Sequence, residues 1–186
     1  GGRASSADGR LSRASPGGQV VGPPSRSLRG GPSSGTMQMA NRVRRQLSQC
    51  EADQILKVAG RCGDQVDVAG AVVALHRLAR DAAFKTSGKD RRLEGLLRIL
   101  RRPLARGDGF SDVRQFANIS WSLARLAVAD EPLLDALTAE AFRTVGDLSC
   151  QELTTISWAF ARLEVVSPGL LEAISSRTLA ILPEFG

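Results

Sequence analysis

Three arginines, Arg77, Arg125 and Arg162, stand at the same place in three similar segments of the chain. Arginine recurring at regular spacing suits a polyanion, because each neutralised phosphate releases a bound counterion. Polar side chains precede two of them in a matching pattern: Arg114 and Asn118 before Arg125, Gln151 and Thr155 before Arg162. Such groups can hydrogen-bond the edges of unpaired bases. Other chemistry is poorly represented. The lone histidine, His76, lies in Leu75-His76-Arg77-Leu78, and no Gly-rich phosphate loop, acid pair or nucleophile motif accompanies it. Cys50, Cys62 and Cys150 show no CxxC pairing and no metal spacing. An odd, scattered set fits buried thiols in a reducing compartment. No catalytic residue, metal or cofactor is expected, and the pattern points to binding.

What must position these side chains is a segment that occurs twice. Phe116 to Val128 and Leu153 to Val165 share Ile-Ser-Trp followed by Ala-Arg-Leu, with Trp121 and Trp158 lying 37 residues apart. The register continues through Leu133/Leu170, Leu134/Leu171, Ala136/Ala173 and Phe142/Leu179. Val73 to Ala79 reads as a degenerate earlier copy, displaced by a polar insertion over residues 85–90. Self-similarity at this period predicts an all-α fold, an α-solenoid of stacked helix pairs. The core would be aliphatic, since the chain is 42% hydrophobic but only 4% aromatic, with no tyrosine.

Local signals predict where the helices run. A first helix is expected over 40–60, a second over 66–83, and a third from Arg91 to Arg102, stopped by Pro103. Ser149-Cys150-Gln151-Glu152 reads as a capping box. Pro168 and Asp130-Glu131-Pro132 mark two further starts. On a helical wheel, Leu153, Ile156, Phe160 and Leu163 share one face, and Trp158, Ala161 and Val165 a second. Both tryptophans are therefore expected to be buried. Between the faces runs a polar strip of Gln151, Thr155 and Arg162, matched by Arg114, Asn118 and Arg125, and earlier by Val66, Gly70 and Arg77. Two compatible readings fit its arginines: a ladder tracking phosphates, or stems laid over the neighbouring indoles.

The net charge is +6, and residues 1–36 hold five Arg against one Asp. A basic excess favours an anionic partner without demanding one. Residues 1–38, rich in Gly, Ser, Pro and Arg, are expected to be a disordered tail; the composition also fits a targeting segment. Residues 39–186 would form the array. The chain opens on Gly, with Met37 and Met39 as alternative starts, and Phe185 falls where a third copy would open. A longer array is expected. No apolar run approaches the ~20 residues of a membrane-spanning helix. A second basic cluster, Arg91, Arg92, Arg98, Arg101, Arg102 and Arg106, alternates with leucines, and Arg42, Arg44 and Arg45 form a smaller one.

The Trp-Ser/Ala-Leu/Phe-Ala-Arg-Leu core, with Gln151-Glu152-Leu153 ahead of the second copy, resembles octotricopeptide-type repeats. Similar repeats occur in FAST-kinase-like and RAP-domain proteins of mitochondria and plastids, and in helical-repeat subunits of the RNA-editing substrate-binding complex. The segment Val66 to Ala79 is similar to an opening repeat of such proteins, and the likeness spans roughly Leu47 to Phe185. The resemblance implies binding of single-stranded RNA in an organelle, mitochondrion or plastid. It implies work in RNA processing, stability, editing or ribosome biogenesis, alongside other proteins of a ribonucleoprotein complex. The chain departs from it in three ways. No RAP domain is visible, the first copy opens Arg114-Gln115-Phe116, and the earliest copy has no Trp. Arg98, Arg101 and Arg102 join the strip residues as RNA-binding candidates. Helical arrays also bind proteins, so a protein-binding scaffold stands as the alternative.

Overall fold

Side-chain caps set the starts of four helices. Asp67 accepts from the Gly70 amide, Asp112 from Arg114, and Asp130 from Leu133. Ser149 and Glu152 form the expected reciprocal box, in which each side chain bonds the other's backbone amide. Pro168 occupies the first turn of its helix, where a missing amide forfeits no bond. The computed structural model describes residues 34–84, 91–106, 110 and 112–182. Within them lie eight α-helices and no strand: α1 Ser34–Gln49, α2 Ala52–Cys62, α3 Val68–Arg80, α4 Arg91–Ala105, α5 Val113–Leu126, α6 Glu131–Thr144, α7 Cys150–Arg162 and α8 Pro168–Ile181. Residues 1–33 of the expected tail, the expected loop at 85–90 and Phe185 lie outside the described residues. Residues 34–38, expected in the tail, belong to α1.

Packing follows a rule of second neighbours. Helices α1, α3, α5 and α7 pack successively against one another, as do α2, α4, α6 and α8, and successive helices join the two rows. The buried seam runs through both rows, from Val43 and Leu47 through Leu75, Leu100, Phe116, Leu123 and Leu137 to Ile156 and Ile174. Helix α5 is apolar on two faces because it lies between α3 and α7. Its Ser120, Ser122 and Ala124 are fully buried, and such small side chains let both neighbours approach closely.

Both repeat copies end their first helix in the same way. Ala127 and Glu164 take left-handed backbone conformations, with φ of 52° and 57°. The amide of Val128 then reaches the carbonyl of Leu123, and that of Val165 the carbonyl of Phe160, each at 3.0 Å. These crossing bonds satisfy carbonyls that a helix end leaves open. Neither copy has glycine at the left-handed position, so each accepts roughly 1 kcal/mol of strain there.

The structure corrects several expectations. The helix expected over 40–60 is broken at Cys50-Glu51, where Glu51 is extended. At 100° per residue an unbroken rod would swing Leu56 and Ala59 more than ~100° away from Val43 and Leu47. All four are buried, so the chain must turn. Pro103 does not stop α4, which runs to Ala105. So near the end, the proline forfeits only the bond to the Ile99 carbonyl. Val66 and Gly70, expected on the exposed strip, are buried; a Cβ on Gly70 would stand 2.9 Å from its own cap, Asp67. The three cysteines are free and only half-buried. Trp121 is half-buried against the core, whereas Trp158 is 42% exposed. The second face of α7 has no neighbour like the one α7 gives α5.

That difference is measurable. Phe116→Ala, at a site 1% exposed, is expected to lower the unfolding free energy by about 3–5 kcal/mol. Trp158→Ala is expected to lose well under half of that in urea titrations. Equal losses would contradict the exposure of Trp158.

Candidate nucleic-acid interface

The row α3, α5, α7 carries the arginines singled out by spacing, and it treats them differently. Arg77 turns inward, its Nη2 donating to the Cys50 carbonyl at 2.8 Å. It thereby satisfies the open end of α1 and holds the break between α1 and α2. Arg125 places its guanidinium 6.0 Å from the centre of the Trp121 ring, within cation–π range. Arg162 is exposed at the end of α7. Arg114, Arg125 and Arg162 carry no ion pair among the described residues.

Between α5 and α7 the polar strip opens into a groove of about 550 Å³, lined by Arg114, Asn118, Gln151, Glu152 and Thr155. Four of the candidate residues thus come together across two repeats. The Thr155 hydroxyl donates to the Gln151 carbonyl at 2.7 Å, leaving its oxygen free to accept. Glu152 is occupied by the cap, taking the Ser149 amide and hydroxyl at 2.9 and 2.7 Å. Its carboxylate also faces the positive end of α7, which offsets its charge. The groove therefore presents amide and hydroxyl groups beside one free guanidinium. By helical spacing Arg125 and Arg162 lie about 16 Å further along their helices on the same strip.

The α4 arginines belong to the other row and are differently employed. Arg101 pairs with Asp130, the residue that caps α6, and with Glu94 on its own helix. Both carboxylates hold its guanidinium pKa above the ordinary value, the hydrogen bond to Asp130 contributing most. Asp130 is 8% exposed at its side chain and also caps α6, so this pair ties the even row together. Arg102 reaches Asp64 at 3.3 Å. Arg98 is exposed and lines a cavity of about 100 Å³ between α2 and α4. None of the three meets the α5–α7 groove. The ion pair between rungs had a sequence signal, since Asp130 sits at a helix start, but its partner 29 residues away had none.

One contact escaped sequence reasoning. His76 stacks on Trp121, ring centres 5.0 Å apart and planes inclined by 47°. Its Nδ1 is buried without a hydrogen-bond partner. Burial, and secondarily the charge of Arg80, lowers its pKa from the ordinary 6.5. A cavity of about 380 Å³ beside it is lined also by Glu51, Arg77, Arg80 and Asp81. Among the described residues no three His, Cys, Asp or Glu cluster as a metal site would need, and no helix is long and apolar enough to cross a membrane.

Because folding depresses the His76 pKa, the unfolded chain binds more protons between the folded value and 6.5. Stability is then fully present above 6.5 and falls as pH drops through that window. His76→Phe, which keeps a ring against Trp121, is expected to flatten the pH dependence of the urea midpoint there. An unchanged profile would place the titration elsewhere. No protein-family model matches the chain, and no curated protein matches it.

Proposed function

We propose that the chain is an RNA-binding α-solenoid acting in organellar post-transcriptional RNA metabolism, of the octotricopeptide-like, FAST-kinase-like kind that its repeats resemble. The observation that carries this reading is the α5–α7 groove, where Arg114, Asn118, Gln151 and Thr155 converge. Its volume suits a small planar group, within the ~300–1,000 Å³ of ordinary ligand sites. A base splayed from a single strand would enter it, meeting Asn118, Gln151 and Thr155 along its edge. Arg114, Arg125 and Arg162 would hold phosphates on either side, and they are free of carboxylate partners among the described residues. Second-neighbour packing supports the solenoid, because each added helix pair extends the same strip. No step of chemistry is assigned to the groove; its role is recognition.

Arg114→Glu combined with Arg162→Glu tests this directly. The pair is expected to weaken single-stranded RNA binding at least roughly tenfold and reduce the slope of log K against log salt by about 1.4, from ~0.7 per lost phosphate contact. A charge-matched pair on α2, Lys57→Glu with Arg61→Glu, is expected to change the slope little. Unchanged RNA affinity in the α5–α7 pair would sink the reading and favour a protein-binding scaffold.

A further inference from the structure

The two repeat copies put equivalent positions in different surroundings. In the first copy Ala124 is buried and Leu134 only 7% exposed; their equivalents Ala161 and Leu171 are exposed, Leu171 at 54%. What covers the first copy is the second, with α7 packed on α5 and α8 on α6. The corresponding surface of the second copy carries Trp158, Leu171 and Leu182, all exposed. Two hollows that share Ser157 lie there, of about 400 Å³ beside Trp158 and Thr178, and about 230 Å³ beside Val166 and Leu171. Exposed apolar groups gathered in one patch mark an interaction surface.

We propose that this α7–α8 face docks a helix hairpin of the chain's own repeat type. The occupant would carry apolar residues where the second copy has Leu153, Ile156 and Phe160 on its first helix, and Leu170 and Ile174 on its second. The argument is continuity: the equivalent surface of the first copy is covered by such a hairpin, α7 lying on α5 and α8 on α6. A second whole copy stacked head to tail fits poorly. Apart from Met37 and Met39, the exposed side chains of α1 and α2 are polar, among them Arg42, Arg45, Lys57 and Arg61. Pressing those charges onto Leu171 and Trp158 would desolvate them without partners. The inference does not depend on what the α5–α7 groove binds.

The test joins a duplicate of residues 146–182 directly after Leu182, which preserves the repeat register. Trp121 and the added tryptophan are replaced by phenylalanine, so that Trp158 alone fluoresces. Docking is expected to lower the acrylamide quenching of Trp158 roughly two-fold, as for an indole moved from water into a packed site, and to shift its emission to the blue. Leu171→Glu in the same extended chain is expected to restore the quenching. Unchanged quenching, or an added hairpin that contributes no helix to the circular dichroism, overturns the proposal. So does a dimer of the unextended chain, seen by sedimentation equilibrium, that Leu171→Glu dissolves, because the face would then belong to a second copy.

Discussion

A helix that is apolar on two faces cannot be satisfied by a single neighbour, and α5 is such a helix. One face of it must meet α3 and the other α7, and everything else in the fold follows from meeting that demand. Buried Ser120, Ser122 and Ala124 keep the approach short on both sides, while Phe116, Ile119 and Leu123 fill the seam. The even row repeats the arrangement with a polar tie added, since Arg101 on α4 holds Asp130, the residue that caps α6. Removing Arg101 would leave the buried Asp130 carboxylate without its ion-pair partner, whereas Arg101 without Asp130 would keep Glu94.

With two faces committed to packing and a third turned to the hairpin partner, α5 has only a narrow strip left for solvent. That strip is where Arg114, Asn118, Gln151 and Thr155 meet. The groove is thus a by-product of packing α7 on α5. The first rung is different. Arg77 is spent on the Cys50 carbonyl, and Val66 and Gly70 are buried beneath α1 and its turn. Here the strip is closed by α1 and its turn. On α7 and α8, by contrast, Trp158 and Leu171 are exposed.

Much of this was legible in the sequence where a feature is local or repeats. The Ser149–Glu152 box, Pro168 and the helix pairs of both copies are encoded within a few residues of where they act. What escaped depends on contacts distant in the chain or on comparing phases. The break at Cys50-Glu51 carries no Gly or Pro; only the mismatch between Leu47 and Leu56 on the wheel betrays it. Ala127 and Glu164 adopt a glycine-like conformation that residue type does not announce. Trp158 looked equivalent to Trp121 because the wheel reports which face a residue occupies and not whether another helix covers it. The polar strip was found by the same wheel, and the groove lined by Arg114, Asn118, Gln151 and Thr155 is its three-dimensional counterpart.

Titration of a short single-stranded RNA into the isotopically labelled chain, followed by NMR, bears most directly on the central claim. The side-chain amides of Asn118 and Gln151 and the backbone amides around Arg114 and Thr155 should shift together and saturate at one ratio. Signals from α4 and α8 should hardly move. Shifts confined to α4 or α8, or no saturable shift in the α5–α7 groove, would contradict the account.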